Sequence, residues 1–330
     1  MKISGGKFLI TGGVSMIGAQ VAQHLLKADA REIVLFDNYS LSGPEMIDDI
    51  AHDPRIKLVR GDILRVNELF DALDGVDGVF AIAGFLTLPL SSNPVLGIAV
   101  NVQGMVNVHE ACRYRKVDKV VFSSSVATYG ETGAQTTDES APWNWSKQQP
   151  GAALYGASKI MGENIGRLYQ DRYGVKSVSL RYSSVYGERQ HLRAVNSVYI
   201  VDTYDRIRRG ERPVIPDDGL EVHDYLHVAD AARANVMAME SDVARESFTV
   251  ATGVTTTLNR LVEIILKITG SDLKPEYRTM PGKIRATTST TMHFSNEKIA
   301  RMIGWHPEVS LEDGIERLIR WREKELRQAN

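Results

Sequence analysis

Through the first half of the chain, short apolar runs alternate with longer stretches whose apolar residues recur at helical spacing. The runs Lys7–Ile10, Glu32–Phe36, Ile56–Val59, Gly78–Ile82 and Lys119–Ser123 have the length and apolar content of strands buried on both faces. Between them, Ile17–Leu26, Val66–Leu73 and Val95–Tyr114 carry the one-sided pattern of amphipathic helices. This alternation predicts parallel strands with helices on both faces, an α/β doubly wound sheet of Rossmann type. A further strand, Ser177–Tyr182, is expected after a long helix that contains Tyr155 and Lys159.

Beyond that strand the pattern loosens. Prolines and glycines punctuate 187–220, one more short strand is expected at Ser247–Ala251, and helices at Leu258–Thr269, Asn296–Ile303 and Leu311–Arg327. We therefore expect a core domain over 1–180, with returning elements near 225–255. The remainder, 181–330, is expected to be mainly a smaller α/β lobe that binds substrate. A length of 330 residues suits one large domain with such a lobe.

Composition narrows the partners. Hydrophobic content of 43% and charged content of 24% are those of an ordinary globular chain. The formal charge of −2 provides no basic field, which argues against nucleic acid. No apolar run approaches the roughly 18 residues needed to span a bilayer, so no membrane partner is expected. With Cys112 as the single cysteine, no intrachain disulfide can form. The N-terminus enters its first strand without a signal-peptide pattern, so a cytoplasmic location is the expectation.

The candidate chemistry begins at the first strand–helix junction, Thr11-Gly12-Gly13-Val14-Ser15-Met16-Ile17-Gly18. Glycines there let the backbone approach a pyrophosphate at a helix N-terminus, although an ordinary tight turn uses the same residues. Ser15 occupies the place of the usual middle glycine and could offer its N–H and hydroxyl to a phosphate. Asp37 strengthens the nucleotide reading, because it ends the second strand about 20 residues past the turn, where an acid accepts bonds from ribose hydroxyls. A carboxylate there repels a 2′-phosphate, which favours NAD over NADP. Asp62 follows the third strand and could contact adenine or cap the next helix. The small residues Ala81–Gly84 would let a dinucleotide lie across the strand ends.

Downstream, Ser123-Ser124-Ser125 ends a strand, and Tyr155 and Lys159 stand four apart on a helix, hence on one face. An ammonium beside a phenol favours the phenolate, so the Tyr155 pKa is expected to fall from about 10 towards working pH. That is an acid/base suited to interconverting a carbinol and a ketone. His223 and His227 are also four apart, but the segment reads as a strand followed by a helix start, so no metal is expected. Trp143 and Trp145, in the loop before Tyr155, could line a substrate entrance or simply pack together.

With these motifs in view, the chain resembles the extended short-chain dehydrogenase/reductase family, the NAD-dependent sugar epimerases and dehydratases of the UDP-glucose 4-epimerase type. The likeness extends through Leu180-Arg181-Tyr182…Val185-Tyr186-Gly187, His223-Asp224-Tyr225…Asp230 and Gly304-Trp305-His306-Pro307. It implies that Tyr155 exchanges a proton with a substrate hydroxyl, that Ser125 bonds the same oxygen, and that Lys159 holds the nicotinamide ribose and lowers the Tyr155 pKa. It implies an NAD site at Gly12, Gly13, Ser15, Met16, Ile17 and Gly18, with Asp37, Asn38, Asp62 and Ile63 around the adenosine. Ala81, Ile82, Ala83, Asn101, Ser123, Tyr155, Lys159, Tyr182 and Val185 would complete that site. Ser125, Thr128, Ser184, Arg193 and His223 would meet the substrate.

The resemblance also narrows the reaction. Dehydratases of the family carry an acidic pair just after the serine position, and related decarboxylases a carboxylate; here Val126 and Ala127 stand there. Epimerisation of a nucleotide-linked sugar, at C4, is the leading reading. Ser184 replaces the usual diphosphate-binding Asn, and His223 and Met280 stand where arginines are common. Arg189, Arg193, Arg278, Lys283 and Arg285 could compensate. Oxidation or reduction of a smaller hydroxy or keto substrate is the alternative, and a non-catalytic NAD sensor would not need Ser125, Tyr155 and Lys159 together. The family also implies a homodimer through the helices Val95–Tyr114 and Leu154–Tyr173, in which Ile160, Ile165 and Leu168 supply apolar positions.

Overall fold

A computed structural model describes residues 1–190, 198–279 and 291–328. Its centre is a seven-stranded parallel sheet made of β1 (Lys7–Thr11), β2 (Glu32–Asp37), β3 (Ile56–Arg60), β4 (Gly78–Ala81), β5 (Lys119–Ser125), β6 (Lys176–Tyr182) and β7 (Glu246–Val250). The spatial order is β7-β6-β5-β4-β1-β2-β3, and every pairing is parallel. The chain starts in the middle, winds outward to β3, then crosses to β4 on the other side of β1. A crevice therefore opens at the carboxyl ends of β1 and β4, where ligands bind in such sheets.

Two apolar layers cover the sheet. On one face, α1 (Met16–Lys27) and α6 (Val228–Glu240) pack Val21, Leu25, Ala231 and Met239 against Ile10, Leu35, Phe80 and Leu180. On the other, α2 (Val66–Ala72) and α3 (Gly104–Arg115) pack Leu69, Val108 and Cys112 against Leu9, Val79 and Phe122. The long helix α4 (Pro150–Tyr173) lies on this second face over β5 and β6. A Cβ at Gly162 would come within 2.6 Å of the Phe122 ring, so glycine there allows the helix its close approach to the sheet.

The stretch Val95–Tyr114, read as one helix, is helical throughout but not uniform. Pro94–Ile98 is α-helical, Ala99–Gln103 is a π turn, and α3 follows. The wider turn carries Asn101, which sits among buried polar groups.

Besides β6, α6 and β7, the second half forms a separate apolar cluster. It contains α5 (Val198–Arg208), α7 (Leu258–Thr269) and α8 (Leu311–Gln328). Ile200, Tyr204, Leu261, Ile265, Ile315 and Leu318 make their common core. Three short strand pairs stitch it together: Ser184–Tyr186 with Tyr225–His227, Val222–His223 with Thr256–Thr257, and Val214–Pro216 with Glu276–Arg278. Helix α5 falls in the stretch that looked only like punctuated loop, because Val198, Ile200 and Val201 are β-branched and weaken its helical signature. Trp305 is fully buried and donates from Nε1 to the Asp230 carbonyl at 3.0 Å. The Asp230 carboxylate accepts from the backbone N–H groups of Glu308 and Val309, fastening the C-terminal segment to α6. Among the described residues no helix is long and apolar enough to cross a membrane.

Candidate active site

Two clefts open at the carboxyl ends of the strands. The first is lined by Gly12, Ser15, Phe36, Asp37, Asn38, Ser40, Leu41, Gly61, Asp62, Ile63 and Ile82–Phe85. Eight of the expected dinucleotide residues are therefore on its wall: Gly12, Ser15, Asp37, Asn38, Asp62, Ile63, Ile82 and Ala83.

The glycine turn is built tightly. Gly12 has φ +69, and a Cβ there would sit 3.0 Å from the Ala83 backbone nitrogen. Gly18 could carry no side chain, since its Cβ would fall 2.3 Å from the Gly12 carbonyl oxygen. Ser15 differs in detail from expectation. Its N–H is spent on the Gly12 carbonyl at 3.0 Å, and its Oγ caps α1 by accepting from Gly18 N at 3.1 Å. Only its hydroxyl proton is left to offer a phosphate.

Asp37 accepts from Val14 N at 3.2 Å and from Tyr39 N at 2.9 Å, bonds that tie the β2 end to the glycine turn. Burial raises its pKa, and these backbone bonds pull it partly back. Asp62 caps no helix; it bonds Leu64 N at 2.9 Å and holds the Asn38 amide at 3.2 Å, so its role in the wall is to orient Asn38.

Met16, Ile17, Ala81, Tyr182 and Val185, with Gly13 and Gly18, are not on this wall. Met16, Ile17, Tyr182 and Val185 pack in or against one apolar core and Ala81 in the other, while a Cβ on Gly13 would come within 2.7 Å of Leu35 Cα. Asn101 is also occupied: it accepts from Phe85 N at 2.7 Å and donates to Phe85 O at 3.0 Å and Ser158 Oγ at 3.1 Å. It fixes the loop after β4 against α4.

The second cleft is lined by Thr87, Ser125, Val126, Ala127, Gly130, Thr132, Gln148, Ala152, Tyr155, Ser183, Ser184, His223, Met292 and Phe294. The three serines at the end of β5 take three directions. Ser123 shares a hydrogen bond with Tyr182 Oη at 3.3 Å, and Asn235 Nδ2 donates to the same phenol at 2.7 Å. Ser124 donates to Glu163 Oε1 at 2.6 Å. Ser125 reaches the cleft, its Oγ accepting from Ala127 N at 3.2 Å and bonding to Tyr155. Thr128 donates to the Ser125 carbonyl at 2.8 Å, which leaves it a support of the strand end, off the cleft wall.

Lys159 donates from Nζ to the Ser123 carbonyl at 2.9 Å and lies 5.8 Å from the centroid of the Tyr155 ring. The helical spacing thus brings the two together, but the phenol's acidity goes the other way from expectation. Burial pushes Tyr155 up to about 12, with Ser125 offsetting part of the rise. Burial also pushes Lys159 down to about 8, with Glu163 opposing. Burial moves both groups towards their neutral forms, because both are shut away from water on the same helix face.

Glu163, one turn beyond Lys159, is buried. It takes a two-pronged ion pair from Arg181, at 2.8 Å to each oxygen, and accepts from Ser247 Oγ at 2.9 Å. Its pKa is lowered: the Arg181 bonds and charge outweigh the burial that would raise it.

Ser184 is held by its N–H to the Asp224 carbonyl at 2.9 Å, and Ser183 Oγ donates to Asp224 Oδ1 at 2.9 Å. His223 meets Glu221 at 2.7 Å from Nε2 to Oε1, whereas His227 is buried against Glu188 at 3.2 Å. The two histidines thus serve separate acids, and among the described residues no group of His, Cys, Asp and Glu is arranged for a metal. Arg193, Met280, Lys283 and Arg285 lie outside the described residues, and Arg278 pairs with Glu276 at 2.7 Å. Trp143 and Trp145 pack on each other with ring centroids 6.4 Å apart, off the cleft wall. Gln148 had no signal in the sequence, since a polar loop residue has no periodicity to mark it.

The geometry fits a dinucleotide: a glycine turn at a helix N-terminus, a carboxylate 23 positions past Val14 bonded back to it, and a continuous groove across the strand ends. Comparison with known proteins agrees. The NAD dependent epimerase/dehydratase family matches over residues 8–251, more than half of the chain. A Methanocaldococcus jannaschii protein assigned as a UDP-glucose 4-epimerase is 32% identical over 95% of this chain and 97% of its own. A UDP-glucose 4-epimerase from Thermotoga maritima, solved with UDP-glucose, superposes with a TM-score of 0.86 at 28% identity, covering 97% of this chain and 99% of that one. A UDP-N-acetylglucosamine 4-epimerase from Methanobrevibacter ruminantium M1, solved with UDP-N-acetylmuramic acid, gives 0.87 at 27% identity over 98% and 99%.

Proposed function

The chain belongs to the NAD dependent epimerase/dehydratase family, and from that premise we propose that it inverts C4 of a UDP-linked hexose. The observation that carries the reading is the second cleft, where Ser125 and Tyr155 share one wall with Ser183, Ser184 and His223. Val126 and Ala127 beside them offer no group to remove or deliver a proton for water elimination, which favours epimerisation over dehydration.

When bound, NAD supplies reversible two-electron oxidation of the carbinol carbon. Gly12, Ser15, Asp37, Asn38 and the Ile82–Phe85 segment would hold it. To take the C4 hydroxyl proton on Oη and return it to the same oxygen after the ring has turned, Tyr155 must first ionise against the burial that holds it at about 12. Ser125 Oγ bonds that oxygen and fixes its position. The Lys159 ammonium, anchored on Ser123, is the nearby charge that stabilises the Tyr155 phenolate. His223, braced by Glu221, and the two serines on β6's exit are the polar groups of this cleft that we assign to the diphosphate.

A homodimer is part of the proposal. Leu154, Met161 and Leu168 recur every seven residues along α4 and are 37%, 49% and 50% exposed, a stripe suited to pairing with a second copy. Ile165, by contrast, packs into the chain's own core. A cytoplasmic setting is likewise proposed and suits the buried, free Cys112.

Calorimetric titration of the NAD-loaded protein with UDP, dTDP, GDP and CDP tests the recognition. Saturable binding of UDP alone is expected. Binding of none of the four would favour a dehydrogenase of a smaller substrate.

A further inference from the structure

Tyr155, Lys159 and Glu163 recur every four residues on α4 and form one line of buried side chains on a single helix face. They meet the last three residues of β5, one each. Tyr155 bonds Ser125, Lys159 donates to the Ser123 carbonyl, and Glu163 accepts from Ser124 Oγ at 2.6 Å. The first two contacts belong to the proposed reaction. The third lies apart from it, since neither Ser124 nor Glu163 is on the wall of either cleft.

Glu163 is held from three strands at once: besides Ser124 on β5 it takes Arg181 on β6 and Ser247 on β7. Ser124 and Arg181 face each other in the sheet register. The Arg181 guanidinium also lies 4.9 Å from the centroid of the Tyr129 ring, in the turn 126–129 that carries Val126 and Ala127 onto the cleft wall. One carboxylate therefore bonds the residue before Ser125 and, through Arg181, supports the turn after it. A hydroxyl donating to a carboxylate makes a strong, charge-assisted bond. Without it the strand end can shift against α4 while the Arg181 pair still holds the helix to the sheet. Such a shift changes the separation of Ser125 and Tyr155, and rates fall steeply when reacting groups are misplaced.

We propose that Glu163 is a positioning residue for the proton transfer: through Ser124 it fixes Ser125 against Tyr155. This rests on the reading of Ser125 and Tyr155 as the pair that shares the reacting oxygen.

Ser124→Ala and Ser247→Ala each remove one hydroxyl from the same carboxylate, and only Ser124 adjoins Ser125. Both are compared with wild type on UDP-glucose deuterated at the reacting carbon, which weights turnover towards hydride transfer, with NAD and UDP affinities titrated alongside. Ser124→Ala should lose roughly tenfold in kcat with both affinities unchanged, and Ser247→Ala should keep the wild-type kcat. A purely structural carboxylate would be felt equally from either serine, so equal kcat in the two variants overturns the proposal, whether both fall or neither does. Loss of NAD binding by Ser124→Ala also overturns it, because the hydroxyl would then be supporting the fold. If wild type oxidises a smaller alcohol and epimerises no UDP-hexose, the sugar reading fails, and the same comparison on that deuterated alcohol still decides the role of Glu163. A wild type without turnover on either kind of substrate removes the reacting pair and the proposal together.

Discussion

Lys159 donates from Nζ to the main-chain oxygen of Ser123 at 2.9 Å, so the helix bearing Tyr155 is tied to the strand bearing Ser125 by a buried cation. The bond fixes the relative position of the two groups that share the substrate oxygen in the proposed reaction. It also places an ammonium where water cannot reach it.

That burial gives a pH signature. Lys159 is pushed down to about 8 from its ordinary 10.5. Below pH 8 both folded and unfolded chains hold the proton, and the fold bears the full cost of the buried charge. Between about pH 8 and 10.5 the unfolded chain binds more protons than the folded one, so the stability contributed at this position rises with pH. In cofactor-free protein, urea denaturation of Lys159→Met and wild type should give a stability difference that moves in favour of wild type across that window. A difference independent of pH would mean that Lys159 is not desolvated as described.

Asp37 is the carboxylate at the ribose end of the first cleft. Asp37→Ala should weaken NAD binding by roughly tenfold, as for loss of hydrogen bonds to a charged group, and should narrow the preference for NAD over NADP. Fluorescence titration with each dinucleotide measures both. Unchanged NAD affinity would remove Asp37 from the cofactor site.

Glu163 and Arg181 form a buried ion pair with serines filling the remaining bonds of the carboxylate. Glu163→Gln leaves the guanidinium buried and half-paired, at a cost of about 3–5 kcal/mol. Chemical denaturation should register a loss of that size. A loss under about 1 kcal/mol would indicate that water already reaches the pair.

The exposed stripe on α4 predicts self-association. Met161→Glu with Leu168→Glu should convert a dimer into a monomer in light scattering while leaving the fold's circular dichroism unchanged. A wild type that is monomeric at micromolar concentration contradicts the proposed pairing.

Much of the fold was legible because its signals are local. Buried parallel strands such as Glu32–Asp37 read as apolar runs, and the end of one marks where Asp37 must sit. Ser125, Tyr155 and Lys159 could be found by spacing along a strand end and a helix. What was hidden depends on neighbours distant in sequence. Asn101 resembled a cofactor contact, yet its bonds go to Phe85 and Ser158. Thr128 resembled a substrate contact, yet it bonds the Ser125 carbonyl. The Tyr155 acidity was misjudged because spacing reveals the ammonium beside it but not how completely both are buried. Gln148 became visible only once the cleft wall was assembled around it.

The most direct test incubates the protein with NAD and UDP-glucose, following the sugar by proton NMR and the dinucleotide by absorbance, with Tyr155→Phe alongside. The account expects wild type to approach an equilibrium of the two C4 epimers with no net NADH, and Tyr155→Phe to bind NAD normally while losing turnover. Accumulating NADH without an epimer, or turnover retained by Tyr155→Phe, would contradict it.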